Sequence, residues 1–340
     1  MHVRKRTIIQ LIVGIAILLW LLQVANIGET FDAILQVNVF NLLGAAILFL
    51  VSSTLVGFAL YVPLRNSKPN VSIRKVILAS FGGQLLSDVT PARSGYFLTP
   101  IFINRLAGVP VEQGMTGVLA TGSVNALVKA VVCLVGLGYF VSFLPLPPTV
   151  VDSLLVGVAI LLVAGVFLLL LMWEKRMSKL VVKLEGLPLI GKKLHKFTEM
   201  FTSVQQEGRR VRGALIAVAL LILLSLIVNA GALYLIFTGL WPSSLSILDF
   251  FLMASFASAL TYIPITVAGL GVQEAGYVLL LQLLLVLPLT SVDPRLLAFA
   301  FITRILFTGT DIIGLAPLIK VGVNPDTDTE SVPKPNPIAQ

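Results

Sequence analysis

The sequence predicts an all-α, polytopic helical membrane protein with about six full spans and two re-entrant hairpins in an inverted repeat. Three observations predict it. The 340 residues are 57% hydrophobic and 12% charged, with mean hydropathy +0.99. A soluble globular chain carries about 25% charged residues. The apolar residues fall into long runs, and about 20 such residues let an α-helix cross the hydrocarbon core. Two of the runs are broken midway, at residues 87–98 (SDVTPARSGYFL) and 261–280 (TYIPITVAGLGVQEAGYVLL). A broken backbone at membrane depth is tolerated only where protein or a watery cavity satisfies it. Two such breaks in corresponding places of two halves point to a transporter binding site.

The chain opens on MHVRKR and a first span at residues 7–25. That run is too long for a signal-peptide core, and no small-residue cleavage pattern follows, so it reads as a retained span. Residues 26–38 carry Glu29 and Asp32 but no Lys or Arg. The second span covers 39–63 and is followed by Arg65, Lys68, Arg74 and Lys75. Residues 76–89 enter the first break and 95–106 leave it, with Pro91 and Gly95 as its helix breakers. Both limbs are short, so a hairpin that enters and leaves on one side fits better than two spans. The third span is 113–143 and the fourth 150–173, joined by the uncharged linker PLPPT.

Residues 174–212 form a basic polar region. Within it, Met177, Leu180, Val181 and Leu184 recur at helical i, i+3, i+4, i+7 spacing. This pattern predicts basic amphipathic helices lying on anionic lipid headgroups at the cytoplasmic face. The plainer alternative is a solvated connector. The fifth span is 213–239. Residues 247–263 enter the second break, at Pro264, Gly269 and Gly271, and 269–287 leave it. The sixth span is 295–318, and the Pro- and Asp-rich residues 324–340 are expected to be disordered. The membrane domain is therefore 1–323. Its halves are about 39–143 and 213–318, joined by span 150–173 and loop 174–212.

Lys and Arg favour cytoplasmic loops. Their distribution predicts a multi-pass cell-membrane protein with both termini and loop 174–212 in the cytoplasm. The first hairpin then opens from the cytoplasm and the second from outside. The breaks echo one another faintly: Thr90-Pro91 then Gly95-Tyr96-Phe97-Leu98, against Ile263-Pro264 then Gly276-Tyr277-Val278-Leu279. The net charge of +8 belongs to the loops and implies no nucleic acid. With one cysteine and two histidines, neither an internal disulfide nor a zinc site is available. Gly269-Leu270-Gly271 is no nucleotide fingerprint, because no strand precedes it. No enzyme constellation appears, and neither a metal nor a cofactor is expected.

Asp88, Arg93, Lys129, Glu274, Arg304 and Asp311 fall within or beside apolar segments. A charge at the centre of a span costs about 2.5–3.5 kcal/mol on insertion scales, so these side chains should face the interior and be paired. Arg304, Thr308 and Asp311 share one helix face. Glu274 could pair with Lys129 or Arg304, and Asp88 with Arg93. Any one of the six reads equally well as a structural ion pair. Together they favour a polar cavity that holds substrate.

Thr90-Pro91-Ala92-Arg93-Ser94-Gly95-Tyr96 resembles the P-x-R-x-G signature of the lysylphosphatidylglycerol synthase transmembrane family. Ala268-Gly269-Leu270-Gly271-Val272-Gln273-Glu274-Ala275 resembles its GG-L-G-x-x-E signature, with Ala268 where the family usually has glycine. The third span of the family usually carries a Glu-Arg pair near its start, whereas this chain has Ser123-Val124-Asn125 and then Lys129. The resemblance implies a lipid-handling membrane domain. In multiple peptide resistance factors such a domain is linked to flipping aminoacylated phosphatidylglycerol, and a separate soluble domain performs the aminoacyl transfer.

The leading expectation is thus a flippase-like transporter, not an enzyme, moving a phospholipid with a polar headgroup or a polyprenyl-linked lipid. Arg93, Lys129 and Arg304 would hold a phosphate, and Glu274 a cationic headgroup moiety. The alternatives are an integral membrane enzyme or enzyme subunit acting on lipid-linked substrates, and a non-transporting scaffold. A homo-oligomer is compatible with any of them.

Overall fold

The computed structural model describes residues 5–144, 146–174, 202–242, 245–262 and 265–322. Most of the predicted basic loop, the C-terminal tail and Pro264 lie outside the described residues. Among the described residues, six helices are long and apolar enough to cross a membrane. They are α1 (Lys5–Ala25), α3 (Val39–Ser67), α6 (Val111–Phe143), α7 (Pro148–Trp173), α8 (Leu215–Thr238) and α11 (Pro294–Asp311), the last two extended by short 3₁₀ turns or a following helix. These are the predicted spans with slightly shifted ends, and the chain is a multi-pass membrane protein. Their outer faces expose large apolar side chains, such as Ile9 and Trp20 on α1, Val163 on α7 and Ile216 on α8. Exposed to water, so much contiguous apolar surface would drive aggregation; against lipid it costs nothing.

Helix α3 continues one turn beyond the predicted end at Pro63. A proline inside a helix frees the carbonyl four residues back. That carbonyl belongs to Ala59, and the Thr121 hydroxyl of α6 donates to it at 3.5 Å. Residues 26–38, for which the sequence suggested no element, hold a second helix, α2 (Ile27–Gln36). Asn26 and Asn38 delimit it. The Asn26 side chain accepts from the Gly28 N–H at 3.1 Å, and Asn38 accepts from Phe40 at the start of α3 at 2.8 Å.

Helices α3 and α8 pack along each other through small and hydroxyl residues. Gly44 of α3 lies against Leu235, and Gly231 of α8 against Leu48. At the crossing, the Ser52 hydroxyl lies 3.0 Å from the Ser225 carbonyl and the Ser225 hydroxyl 3.1 Å from that of Ser52. Small residues bring the backbones close, and such hydroxyls bind helix to helix where lipid offers no competing partner.

Each of these helices begins the same order of elements. After α3 come the short helix α4 (Ile73–Ser87), a break, the 3₁₀ turn Ser94–Leu98, the short helix α5 (Thr99–Ala107) and long α6. After α8 come α9 (Ile247–Leu260), a break, α10 (Val272–Leu284) and long α11. The short helices have 15, 9, 14 and 13 residues. At about 1.5 Å per residue none reaches across a core of about 30 Å. A final short helix, α12 (Leu315–Gly322), packs on α4 and α5.

The two breaks touch. Pro91 and Val267 form an isolated antiparallel bridge. On either side of it the backbone repeats itself: Ala92 and Arg93 have φ of 50° and 55°, Ala268 and Gly269 of 49° and 73°. Left-handed backbone is rare for residues other than glycine. Two residues further on, Gly95 and Gly271 each donate their N–H to a side-chain oxygen, Thr90 Oγ1 at 2.7 Å and Glu274 Oε2 at 2.8 Å. Glycine is required at both. A Cβ on Gly95 would run into the backbone at Leu86. One on Gly271, at φ +79°, would lie 2.7 Å from the Gly14 carbonyl of α1, which seals this break.

Candidate functional site

Beside the paired breaks lies a cavity of about 470 Å³. Helices α3, α6, α8 and α11 contribute to its walls, together with both breaks. Five of the six charged residues picked out in the sequence line it: Asp88, Arg93, Lys129, Glu274 and Arg304. Asp311 does not. It sits fully buried behind the wall, where the Ser53 hydroxyl of α3 donates to its Oδ1 at 3.0 Å.

The second break is held by Glu274 and Arg304. Glu274 is the third residue of α10 and only 1% exposed. Its Oε2 closes the helix start by accepting from Gly271, and its Oε1 accepts from Arg304 Nε in an ion pair. The rest of the guanidinium reaches the Ala268 and Gly269 carbonyls, at 3.4 and 3.3 Å. Arg304 therefore ties α11 to the left-handed turn as well as to Glu274. Of the two partners the sequence allowed for Glu274, the structure places Arg304 there and not Lys129.

The first break is held differently. Arg93 pairs with Asp88 at 2.6 Å, and its guanidinium carbon lies 5.9 Å from the centre of the Phe307 ring. Among the described residues no carbonyl acceptor clamps it. Lys129, near the middle of α6, is 7% exposed. Among the described residues no carboxylate pairs with it; its Nζ lies 6.0 Å from the centre of the Tyr262 ring. Asn125, one turn before Lys129, donates to the Tyr262 hydroxyl at 3.3 Å. Lys129 and Arg93 line the same cavity.

Ser53, Asn125 and Tyr262 were not singled out from the sequence as site residues. Ser52-Ser53 carried a usable signal, since adjacent hydroxyls inside a 29-residue apolar helix need partners from another helix. Tyr262 carried none, being one aromatic residue beside a break.

A bundle of membrane-spanning helices with two touching backbone breaks and a charged cavity beside them defines a polytopic α-helical membrane protein with an internal polar site. Residues 7–309 match the family described as the lysylphosphatidylglycerol synthase TM region, and the chain belongs to that family. The match is consistent with a lipid-related membrane function. No curated protein matches the chain.

Proposed function

We propose that this protein is a flippase-like lipid transporter, and that the cavity takes the polar headgroup of a phospholipid or lipid-linked substrate as it crosses the bilayer. The observation that carries the reading is that two cations, Lys129 and Arg93, line one cavity in which a carboxylate, Asp88, is bonded to Arg93 and none is bonded to Lys129 among the described residues. A buried lysine without an anionic partner is costly. A phosphate oxygen supplies that partner, and Arg93 offers it a planar fork of donors. Glu274 and Arg304 are occupied with their break, so their part is to hold the wall of the cavity.

The broken segments act as re-entrant hairpins, inverted with respect to each other. Their repeated element order and matching left-handed turns support this, since inverted repeats of secondary transporters bring discontinuous helices together at the site. The four short limbs support it as well. Both termini and residues 174–212 face the cytoplasm, as the Lys and Arg distribution indicates. Cys133 is the only native cysteine and is buried, so one cysteine placed at Lys193 reports the sidedness cleanly. An impermeant maleimide should label it in broken cells and not in intact ones. Labelling in intact cells overturns the orientation.

The transport reading is tested with Lys129→Ala in proteoliposomes carrying acyl-labelled phosphatidylglycerol. Headgroup transfer between leaflets should fall at least about tenfold, the equivalent of about 1.4 kcal/mol. Thermal stability should hold or rise, because no carboxylate is left unpaired. Lys129→Arg should keep most of the transfer. Wild-type rates from Lys129→Ala would remove the lysine from the site. A product of new mass in the wild-type vesicles would replace transport by an enzymatic reading.

A further inference from the structure

At the cavity wall, Asp88 of the lining and Asp311 behind it form a pair of carboxyl groups that nothing yet described uses together. Asp88 caps the C-terminus of α4 and Asp311 is the last residue of α11. One oxygen of each has a donor, Asp88 Oδ1 from Arg93 at 2.6 Å and Asp311 Oδ1 from Ser53 at 3.0 Å. The second oxygen of each is buried and has no donor among the described residues. The Asp88 side chain is 4% exposed and Asp311 is fully buried. Helices α4 and α11 pack on each other, and the two carboxyl groups are near enough for their charges to interact. Two ionised carboxylates have no donor to offer and repel at this range. One proton between them removes the repulsion and satisfies both orphaned oxygens.

The charge balance of the site gives that proton a consequence. With every group ionised, Arg93, Lys129 and Arg304 cancel Asp88, Asp311 and Glu274. One proton on the aspartate pair leaves a single net positive charge, the complement of a phosphodiester headgroup. We propose that Asp88 and Asp311 form a proton-binding site whose occupancy makes the cavity receptive to a monoanionic phosphate headgroup, so that proton and lipid bind together. This rests on the transport reading for its meaning, though proton-linked binding stands by itself. Linkage is reciprocal: if the anion favours the proton, the proton favours the anion by the same factor.

The groups facing the pair are Arg93 from the first break, Ser53 from α3 and, beyond Arg93, Lys129 from α6 and Tyr262 from the second break. A metal cation in place of the proton is disfavoured by the guanidinium bonded to Asp88.

The test is binding of phosphatidylglycerol to the purified full chain in neutral detergent, measured across pH. Wild-type affinity should fall as pH rises, by up to about tenfold per pH unit, the limit for one linked proton. Asp311→Asn keeps the shape, still accepts from Ser53 and donates an N–H towards Asp88. It should bind at high pH as tightly as wild type does at low pH, a gain that misfolding cannot produce. A flat wild-type profile, or a profile in Asp311→Asn that parallels wild type, overturns the proposal. So does binding that follows sodium when sodium replaces choline at fixed pH. Proton-linked binding without lipid transfer in proteoliposomes would leave the proton site standing and remove the transport reading.

Discussion

Glu274→Ala is expected to destabilise the protein by about 3–5 kcal/mol, the usual cost of removing one partner of a buried ion pair. Two losses combine. Arg304 keeps only its long hydrogen bonds to the Ala268 and Gly269 carbonyls, at 3.4 and 3.3 Å, with no charge to balance it. The Gly271 N–H at the start of α10 loses its acceptor in the same step. The left-handed turn between them has no other side-chain clamp among the described residues, and strained backbone persists only where its surroundings over-determine it. Glu274→Gln keeps an oxygen for one of the two donors and should cost clearly less. Neighbours in one network do not add. Glu274→Gln with Arg304→Gln should therefore be milder than the two single costs summed, by about 0.5–3 kcal/mol. Thermal denaturation of the wild type, both single variants and the double variant in one detergent measures this. Strict additivity would mean that the pair does not hold the break.

The spans were legible because span length is a property of composition alone. About 20 apolar residues cross a bilayer in any fold. The breaks were legible too, since proline and glycine interrupt a helix wherever they cluster, and a charge beside them at membrane depth needs a polar neighbour. Their mutual register was not. The sequence invites an alignment of Thr90-Pro91 on Ile263-Pro264, because proline is the strongest stop for a helix. The backbone instead pairs Pro91 with Val267, which aligns Ala92 with Ala268 and Gly95 with Gly271. The repeated feature is a pair of left-handed residues, and Ala92, Arg93 and Ala268 give no sign of that in their identity.

Side-chain pairing was half legible for a similar reason. Asp88 and Arg93 are five residues apart and local geometry brings them together. Glu274 lay within plausible reach of two cations, and only the packing of α10 against α11 decides for Arg304. Asp311 shares a helix face with Arg304, but a face is not a depth. Seven residues are about 10 Å along the axis, enough to carry it behind the cavity wall, against Ser53.

Arg93→Ala should be as damaging as Glu274→Ala, and it separates structure from transport more sharply. Among the described residues Arg93 is the only cation bonded to Asp88, and Asp311 lies beside it. Its removal leaves two buried carboxyl groups without a positive neighbour in contact, at about 3–5 kcal/mol for the broken pair. The backbone contributes little to the loss, because alanine meets φ 55° no worse than arginine does. Arg93→Ala combined with Asp88→Asn removes the orphaned charge together with its partner and should regain most of the stability. Lipid transfer should not return, since the fork of donors that takes the phosphate is still missing. Arg93→Lys should fall between, because an ammonium keeps the charge but cannot present two parallel donors. Thermal stability and headgroup transfer, measured side by side on these variants, give the answer. Recovery of both in the double variant would make Arg93 a structural counter-ion to Asp88 and nothing more. Recovery of stability alone assigns the guanidinium to the headgroup.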